Sequence, residues 1–590
     1  MTRLYNDPND FADEMIDGFV AASARWVRRV HGGVVRATRS TPNTVALVIG
    51  GGSGHYPAFG GLVGQGLAHG AALGNLFASP SWQQVRSVAK SAHNGAGVLL
   101  SYGNYAGDVL NFDAAQARLV AEGIETRTVV VTDDISSAPA EEKHKRRGIA
   151  GDLTVFKVAA AASEAGWSLD EVARVAAKAN EHTRSFGVAF SGCSLPGASE
   201  PLFTVPEGRM AIGMGIHGEP GIAEADVPTA DGLAALLVDS LLAELPEGVT
   251  EVAGRRVAVI LNGLGSVKYE ELFVVYAKVD ALLAAAGVDV VEPEVGELVT
   301  SFDMAGVSLT LFWLDDELES LWAAPADAPA YKKGSVDAAE RVDDLDAPIL
   351  AVADIPVASA ESAAAARTVV TALEAIAETI DDHADELGRI DAVAGDGDHG
   401  IGMQRGVTAA LAAARTAADA GAGAGTVLSI AGDAWSDRAG GTSGALWGAA
   451  LETIGATVTD GAAPDRHSVA AGIAAATRAI LEFGAVPGDK TMVDVLVPFE
   501  SALTAEVEAG ADLATAWAVA AAVADDAAAA TAHLLPKMGR ARPHAERSLG
   551  TPDAGATSLA LIARTVAGVL AAAADRDSPT DLSSTERASS

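Results

Sequence analysis

Two rhythms of apolar residues divide this chain. In the first, short β-branched runs recur at Thr44 to Ile49, Gly97 to Ser101, Thr128 to Val131 and Gly187 to Phe190. They alternate with helical stretches such as Leu169 to Thr183, a pattern that predicts a parallel α/β sheet. A further group, Arg256 to Leu261, Val288 to Val291 and Ser308 to Leu314, predicts a second α/β lobe. Between Trp322 and Glu361 Pro, Ala and Asp dominate without a sustained period, the composition of a surface linker. The rhythm then turns helical. Val369, Val370, Leu373, Ile376 and Ile380 fall on one face, and helix formers punctuated by glycine loops run on to Ala574. The expected organisation is two α/β lobes at 1–185 and 186–322, a linker at 323–361, an all-helical unit at 362–575 and a disordered tail at 576–590. No repeat of solenoid period is present.

Length and composition narrow the class. At 590 residues the chain has room for about three or four compact units, and 49% hydrophobic against 20% charged residues is enough to bury large cores. Forty-one Lys and Arg against 78 Asp and Glu give a net charge of -37, which repels nucleic acid and anionic membrane. The single Cys193 can form neither an intramolecular disulfide nor a thiolate cluster, which fits the reducing cytoplasm. Met1 to Asp10 has no signal-peptide pattern, and the Ala516 to Ala530 run, broken by Asp525 and Asp526, reads as a soluble amphipathic helix.

The candidate chemistry sits in glycine loops. Asp391, Asp396 and Asp398 fall within eight residues, and Gly395, Gly397 and Gly400 let the backbone bend so that the oxygens converge. Carboxylates of this kind suit Mg²⁺, which also shares substrate phosphates; an acidic turn capping a helix is the plainer alternative. The calcium-loop pattern fails, because Gly400 stands where a third carboxylate belongs. Gly440-Gly441-Thr442-Ser443-Gly444 offers backbone N–H groups and two hydroxyls to an anion, or simply caps a helix. Gly488-Asp489-Lys490-Thr491-Met492 and Lys537-Met538-Gly539-Arg540 add cations, and no Gly-x-x-x-x-Gly-Lys-Ser/Thr occurs.

In the first lobe, Gly50-Gly51-Gly52-Ser53-Gly54-His55 follows a strand, where open α/β sheets bind ligands. It is no dinucleotide fingerprint, since His55 or Pro57 replaces the third glycine. Asp108 follows the next strand, so His55 and Asp108 could share a cleft as acid and base, or serve as turn donor and helix cap. His217 lies in Gly213-Met214-Gly215-Ile216-His217-Gly218-Glu219, where a neutral imidazole could add to a carbonyl or be structural. Cys193 reads as packing against a turn.

Taken in order, these loops resemble the dihydroxyacetone kinase family in its single-chain, ATP-dependent form, over roughly Leu4 to Leu570. Four motifs carry the resemblance: Gly-Gly-Gly-Ser-Gly-His at 50–55, Gly-Ile-His-Gly-Glu at 215–219, the loop at 395–400 and Gly-Asp-Lys-Thr-Met at 488–492. The resemblance implies a ketone-binding domain made of the two lobes and a barrel of antiparallel helices holding ATP and two Mg²⁺ ions. His217 would form a hemiaminal with the substrate carbonyl, which discriminates a short ketose from a polyol such as glycerol. His55 and Asp108 would position and deprotonate the attacking hydroxyl, with Gly52, Ser53 and Gly54 lining the sugar pocket. Asp391, Asp396 and Asp398 match the metal ligands. His399, Gly400, Ile401, Gly402, Thr442, Ser443, Gly484, Met492, Arg540, Asp553, Ala554 and Gly555 match nucleotide contacts. The γ-phosphoryl of ATP would pass in line to a terminal hydroxyl, with the linker letting the helical cap dock over the cleft. A cytoplasmic homodimer is implied, with no nucleic acid or membrane partner.

One position departs. Family members acting on dihydroxyacetone read Lys-Asn-Tyr-Thr-Gly-Asp, whereas this chain reads Gly103-Asn104-Tyr105-Ala106-Gly107-Asp108. The loss of a lysine and a threonine hydroxyl predicts a roomier, less cationic pocket and a four-carbon ketose, D- or L-erythrulose, unless a cation from Lys143 to Arg147 compensates. The alternatives are dihydroxyacetone itself, a non-enzymatic ketose-binding regulator, a phosphotransferase-system variant that keeps ADP bound, and lyase chemistry on FAD.

Overall fold

A computed structural model describes residues 4–198, 200–341, 355–395, 397–538 and 546–577. Asp396, Arg540 and the tail from 578 onward lie outside the described residues. The chain divides near residue 352 into two compact units rather than three or four.

The first unit opens with α1 (Phe11–Ala22), β1 (Val27–Val30), β2 (Gly33–Arg36), β3 (Thr44–Ser53), β4 (Gly70–Leu76) and α2 (Trp82–Ala92). It continues through β5 (Gly95–Gly103), α3 (Ala106–Ala121), β6 (Thr126–Val131), α4 (Asp152–Glu164) and α5 (Leu169–Glu181). Its sheet has the order β1-β2-β4-β3-β5-β6. As expected, β4, β3, β5 and β6 are parallel; β1 and β2 extend the edge antiparallel. All ten residues of β3 are buried, because alternate side chains serve two helical layers. Val45, Leu47 and Ile49 pack on α4 and α5, while Ala46 and Val48 pack with Val85, Phe112 and Leu119 of α2 and α3.

The second lobe contains β7 (Thr183–Ala189), β8 (Arg209–Ile212), β9 (Ala223–Asp226), α6 (Ala230–Leu242), β10 (Arg256–Gly263) and α7 (Tyr269–Ala285). Then come β11 (Asp289–Val290), β12 (Glu294–Gly296), β13 (Gly306–Leu314) and α8 (Asp316–Trp322). Here the sheet is mixed. The strands from β10 through β13, β7 and β8 to β9 pair antiparallel, and β11 and β12 join β10 parallel. The run at Gly187 therefore belongs to the second, largely antiparallel sheet, and the boundary expected at 185/186 falls inside β7. A lone apolar run carries no mark of the sheet or direction it will take. Val257, Val259 and Leu261 of β10 meet α6 and α7, while Ala258 and Ile260 join the first lobe in a shared core. That shared core makes the two lobes one unit.

The expected linker also shrinks. β14 (Ala326–Asp327) and β15 (Lys332–Lys333) form a hairpin whose Ala326, Ala328 and Tyr331 enter the shared core, and the Tyr331 hydroxyl donates to Glu294 Oε1 at 2.7 Å. Three spaced apolar anchors suffice, though averaged composition hides them.

The second unit is all helical: α9 (Ala360–Asp391), α10 (His399–Asp419), α11 (Ala424–Ala439), α12 (Gly441–Val458), α13 (Arg466–Leu481), α14 (Val493–Glu508), α15 (Leu513–Ala530) and α16 (Ala554–Asp577). Helix α9 packs on both α10 and α16, which closes the ring. Small residues set its spacing: a Cβ at Gly432 would lie 2.8 Å from the Gly448 carbonyl of α12. Ser359, Asp465 and Asp512 cap α9, α13 and α15 by accepting N–H bonds from Ser362, Ser468 and Thr515. By length and composition Leu513–His533 and Ala554–Ala574 are apolar enough to span a membrane, contrary to expectation. Alanine raises their hydropathy, yet Ala516, Ala520, Ala524 and Ala528 form a buried stripe of period four, as an amphipathic helix requires.

Candidate active site

The strand β3 delivers His55 to the carboxyl end of the parallel sheet. A Cβ on Gly52 would lie 2.8 Å from the Phe77 backbone, and Gly54 sits at φ +103°, so glycine lets this turn close against Phe77. The His55 ring then stacks on Phe77 at 5.0 Å between centroids. Its Nδ1 donates to the Thr300 carbonyl at 2.7 Å, and its Nε2 meets Nε2 of His217 at 3.0 Å. His217 Nδ1 faces Glu219 Oε1 at 3.1 Å, and the His217 backbone N–H donates to Oε2 at 3.0 Å. Tyr105 packs edge-on against His217 at 4.4 Å. The two histidines are 162 residues apart in sequence and both buried.

Proton accounting fixes the state of this pair. A carbonyl and a carboxylate only accept, so both Nδ1 atoms carry hydrogen. Two neutral rings would then oppose lone pairs across 3.0 Å, so the Nε2 atoms share an added proton. With that proton on His55, the His217 Nε2 lone pair accepts its hydrogen bond and lies beside an acid. Glu219 compensates the charge. Burial alone would raise its carboxyl, but the His217 ring and then the Arg147 guanidinium hold it well below the usual carboxylate range. Arg147 in turn pairs with Asp134 Oδ2 at 2.7 Å and donates to the Gly213 carbonyl at 3.0 Å.

Glu219 and Arg147 were legible only in outline. Glu219 stands within the quoted motif, and Arg147 ended the stretch named as a compensating cation. Asp108 is buried in the first turn of α3, the helix that leaves β5 beside β3. Ser53 spends its hydroxyl on the Gly74 carbonyl at 2.6 Å. The space left by Gly103 is filled: a Cβ there would lie 3.2 Å from both the Gly148 carbonyl and the Tyr105 ring.

In the helical unit, Asp391 ends α9 and accepts the Gly397 N–H at 2.8 Å. Asp398 is pushed up to about 7 by burial and by Asp391; Asp553 is pushed up to about 7 by burial, with Asp391 and Asp494 adding. These hard oxygen donors on a glycine loop fit Mg²⁺. Among the described residues no three His, Cys, Asp or Glu side chains are set to hold a metal, Asp396 being outside them.

Around this loop the helix starts converge. His399 opens α10; its Nε2 meets Ser558 Oγ of α16 at 3.0 Å and its Nδ1 meets Ser443 Oγ of α12 at 3.3 Å. Gly400 packs under Ala384, and Ile401 and Gly402 follow on α10. Thr442 and Ser443 open α12, Gly484 follows α13 at φ +96°, and Met492 precedes α14 against Gly555 of α16. Asp553 caps α16 by accepting the Ala556 N–H at 2.7 Å, ahead of Ala554 and Gly555. Alternate helices of an antiparallel ring run the same way, so four positive helix ends gather here. The expected cations do other work: Lys490 Nζ donates to the Ser548 carbonyl at 2.7 Å, and Lys537 Nζ to the Gly488 carbonyl at 3.0 Å.

A Dak1 domain matches residues 17–330 and a DAK2 domain residues 393–568. The chain is 62% identical to an L-erythrulose kinase of Pectobacterium atrosepticum, covering 97% of each chain. It is 56% identical to a D-erythrulose kinase of Mycolicibacterium smegmatis over 96% of this chain and 98% of that one. The dihydroxyacetone kinase of C. freundii, solved in complex with AMP-PNP and Mg²⁺, is 29% identical with a TM-score of 0.51 over 96% of this chain and 99% of that one.

Proposed function

This chain belongs to the dihydroxyacetone kinase family, and on that premise we propose that it is an ATP-dependent kinase phosphorylating a terminal hydroxyl of erythrulose. The observation that carries the substrate is its near full-length identity, at 62% and 56%, to two erythrulose kinases. Their opposite enantiomers leave D and L to experiment. Gly103 in place of a substrate-side lysine supports the same reading.

The chemistry follows from the histidine pair. His217 Nε2 adds to the ketone carbon, the carbonyl π pair moves to oxygen, and the shared proton on His55 Nε2 is transferred to that oxygen, giving a hemiaminal. Glu219 balances the positive charge that appears on the His217 ring. Such a bond selects a ketone over glycerol, which has no carbonyl. Asp108 accepts the proton of the terminal hydroxyl as it attacks the γ-phosphoryl. When bound, Mg²⁺ screens the charge on the phosphates; Asp391 and Asp398, with Asp396, would hold it, as two ions. His399 to Gly402, Thr442, Ser443, Gly484, Met492, Arg540 and Asp553 to Gly555 would hold the nucleotide at the gathered helix ends. The same reading takes the enzyme as a cytoplasmic homodimer, a location consistent with its single, buried Cys193.

Dihydroxyacetone is the second substrate to weigh, given the 29% identical kinase named for it. Coupled ADP release with Mg-ATP against D-erythrulose, L-erythrulose, dihydroxyacetone and glycerol decides. The expectation is highest kcat/KM on one erythrulose, none on glycerol, and loss of turnover in His217→Ala. A higher kcat/KM on dihydroxyacetone would overturn the substrate.

A further inference from the structure

Four acidic side chains are buried where β5 and β6 lead into their helices: Asp108, Asp133, Asp134, which pairs with Arg147, and Asp152. Asp133 is accounted for, since its carboxylate accepts the Ile149 and Gly151 N–H groups at 2.8 and 2.9 Å and so fixes the turn into α4. Asp152 is different. It is the first residue of α4 and only 1% exposed, and no described group donates a hydrogen bond to its Oδ1. Folding has buried an acceptor without a donor, which is unfavourable unless a ligand supplies one.

Its surroundings point to the ketose site. The Gly148 backbone lies against Gly103, and a Cβ on Gly148 would stand 2.9 Å from Asp152 Oδ1. The Gly148 carbonyl accepts the Tyr105 hydroxyl at 3.0 Å, and the Tyr105 ring lies on His217. Asp152 also interacts electrostatically with Asp108 and with Tyr105. It stands at the carboxyl ends of the parallel strands, the edge where His55 and Asp108 leave them. Burial does not set it apart from the site, because His55 is equally 1% exposed. Desolvation, with Asp133 and Asp108 adding, raises the Asp152 carboxyl well above its ordinary value.

We propose that Asp152 determines substrate length: its Oδ1 accepts a hydrogen bond from the one hydroxyl that a four-carbon ketose has and a three-carbon ketose lacks. This rests on the erythrulose reading above. A site built to pair a hydroxyl discriminates strongly against the analogue without it, whereas added room alone does not.

The test is kcat and KM on the preferred erythrulose and on dihydroxyacetone for the wild-type chain, Asp152→Ala and Asp152→Asn. Asn keeps a shape-matched carbonyl oxygen. The expected result is a 10- to 100-fold drop in kcat/KM on erythrulose for Asp152→Ala, mostly in KM, with dihydroxyacetone changed less than about threefold, and rescue by Asp152→Asn. Dihydroxyacetone turnover doubles as the check on folding; should the Ala variant lose it, Asp152→Val, which fills the volume without an acceptor, is read the same way. An unchanged ratio of the two substrates in either apolar variant, or equal losses on both, overturns the proposal while leaving the erythrulose reading intact. A wild-type chain that prefers dihydroxyacetone overturns both.

Discussion

The two candidate sites are opposite solutions to burying charge. Around His217 the charges are paired: Glu219 lies between His217 and Arg147, Arg147 pairs with Asp134, and the Glu219 carboxyl falls below its ordinary range. In the helical unit the Asp398 and Asp553 carboxyls rise, through burial first and then through Asp391. The second gathers raised carboxyls, which suits a ligand that brings positive charge. Side chains make the first, which suits covalent recognition of a small molecule; helix ends and glycine backbone dominate the second, which suits an anionic polyphosphate with its cation.

The largest effect should come from breaking the compensated site. Glu219→Gln keeps the shape but removes the charge that pins the His217 tautomer and balances its cation. We expect kcat/KM on the preferred ketose to fall by about 10²-fold or more, with the melting temperature shifted far less than the activity. Steady-state kinetics beside a thermal melt check it. A loss below about threefold would sink the proton accounting, since the carboxylate would then be a spectator.

An intermediate effect should come from the uncompensated site, with the sign reversed. Asp398→Asn removes a carboxyl that burial and Asp391 already disfavour. Without Mg²⁺ the variant should be more stable than the wild type, by about 1 kcal/mol. With millimolar Mg²⁺ the wild type should gain and the variant should gain less, because binding to the folded state alone stabilises it. Melts of both chains with and without Mg²⁺ decide, and equal Mg²⁺ gains would remove Asp398 from the cation site.

How much of this was legible follows the same contrast. β3 is readable from Thr44 to Ile49, but the glycines that follow read as a loop; pairing of Gly51 with Leu73 and Ser53 with Leu76 carries the strand on to Ser53. The motifs around His55, His217 and Asp391 could be picked out because glycine-rich punctuation is local. What joins them is not local. The His55 to His217 contact spans two lobes, and the Arg147 to Glu219 pair joins residues far apart in sequence that no spacing links. Asp152 gave no signal at all, since an aspartate at the start of a helix is an ordinary residue until its burial is known.

The smallest effect tests whether a charge can be buried without a counter-ion and without a site. Lys157 is fully buried in α4, its Nζ donating to the Leu321 carbonyl at 3.0 Å. Burial brings it down to about 7, Lys333 adding to the effect and Glu292, Glu164 and Glu294 opposing it. The unfolded chain keeps this proton up to about 10.4. Between the two values the unfolded state binds more protons, so stability contributed by this group rises with pH from about 7 to about 10 and is flat below 7. Lys157→Met keeps the length and removes the titration. Urea midpoints at pH 7 and pH 9.5 should therefore lie closer together in the variant, with the change at pH 7 within about 1 kcal/mol because a lost hydrogen bond offsets the relieved desolvation. An unaltered difference between the two midpoints would mean that Lys157 stays charged, and that the Glu164, Glu292 and Glu294 carboxylates compensate it as Arg147 compensates Glu219.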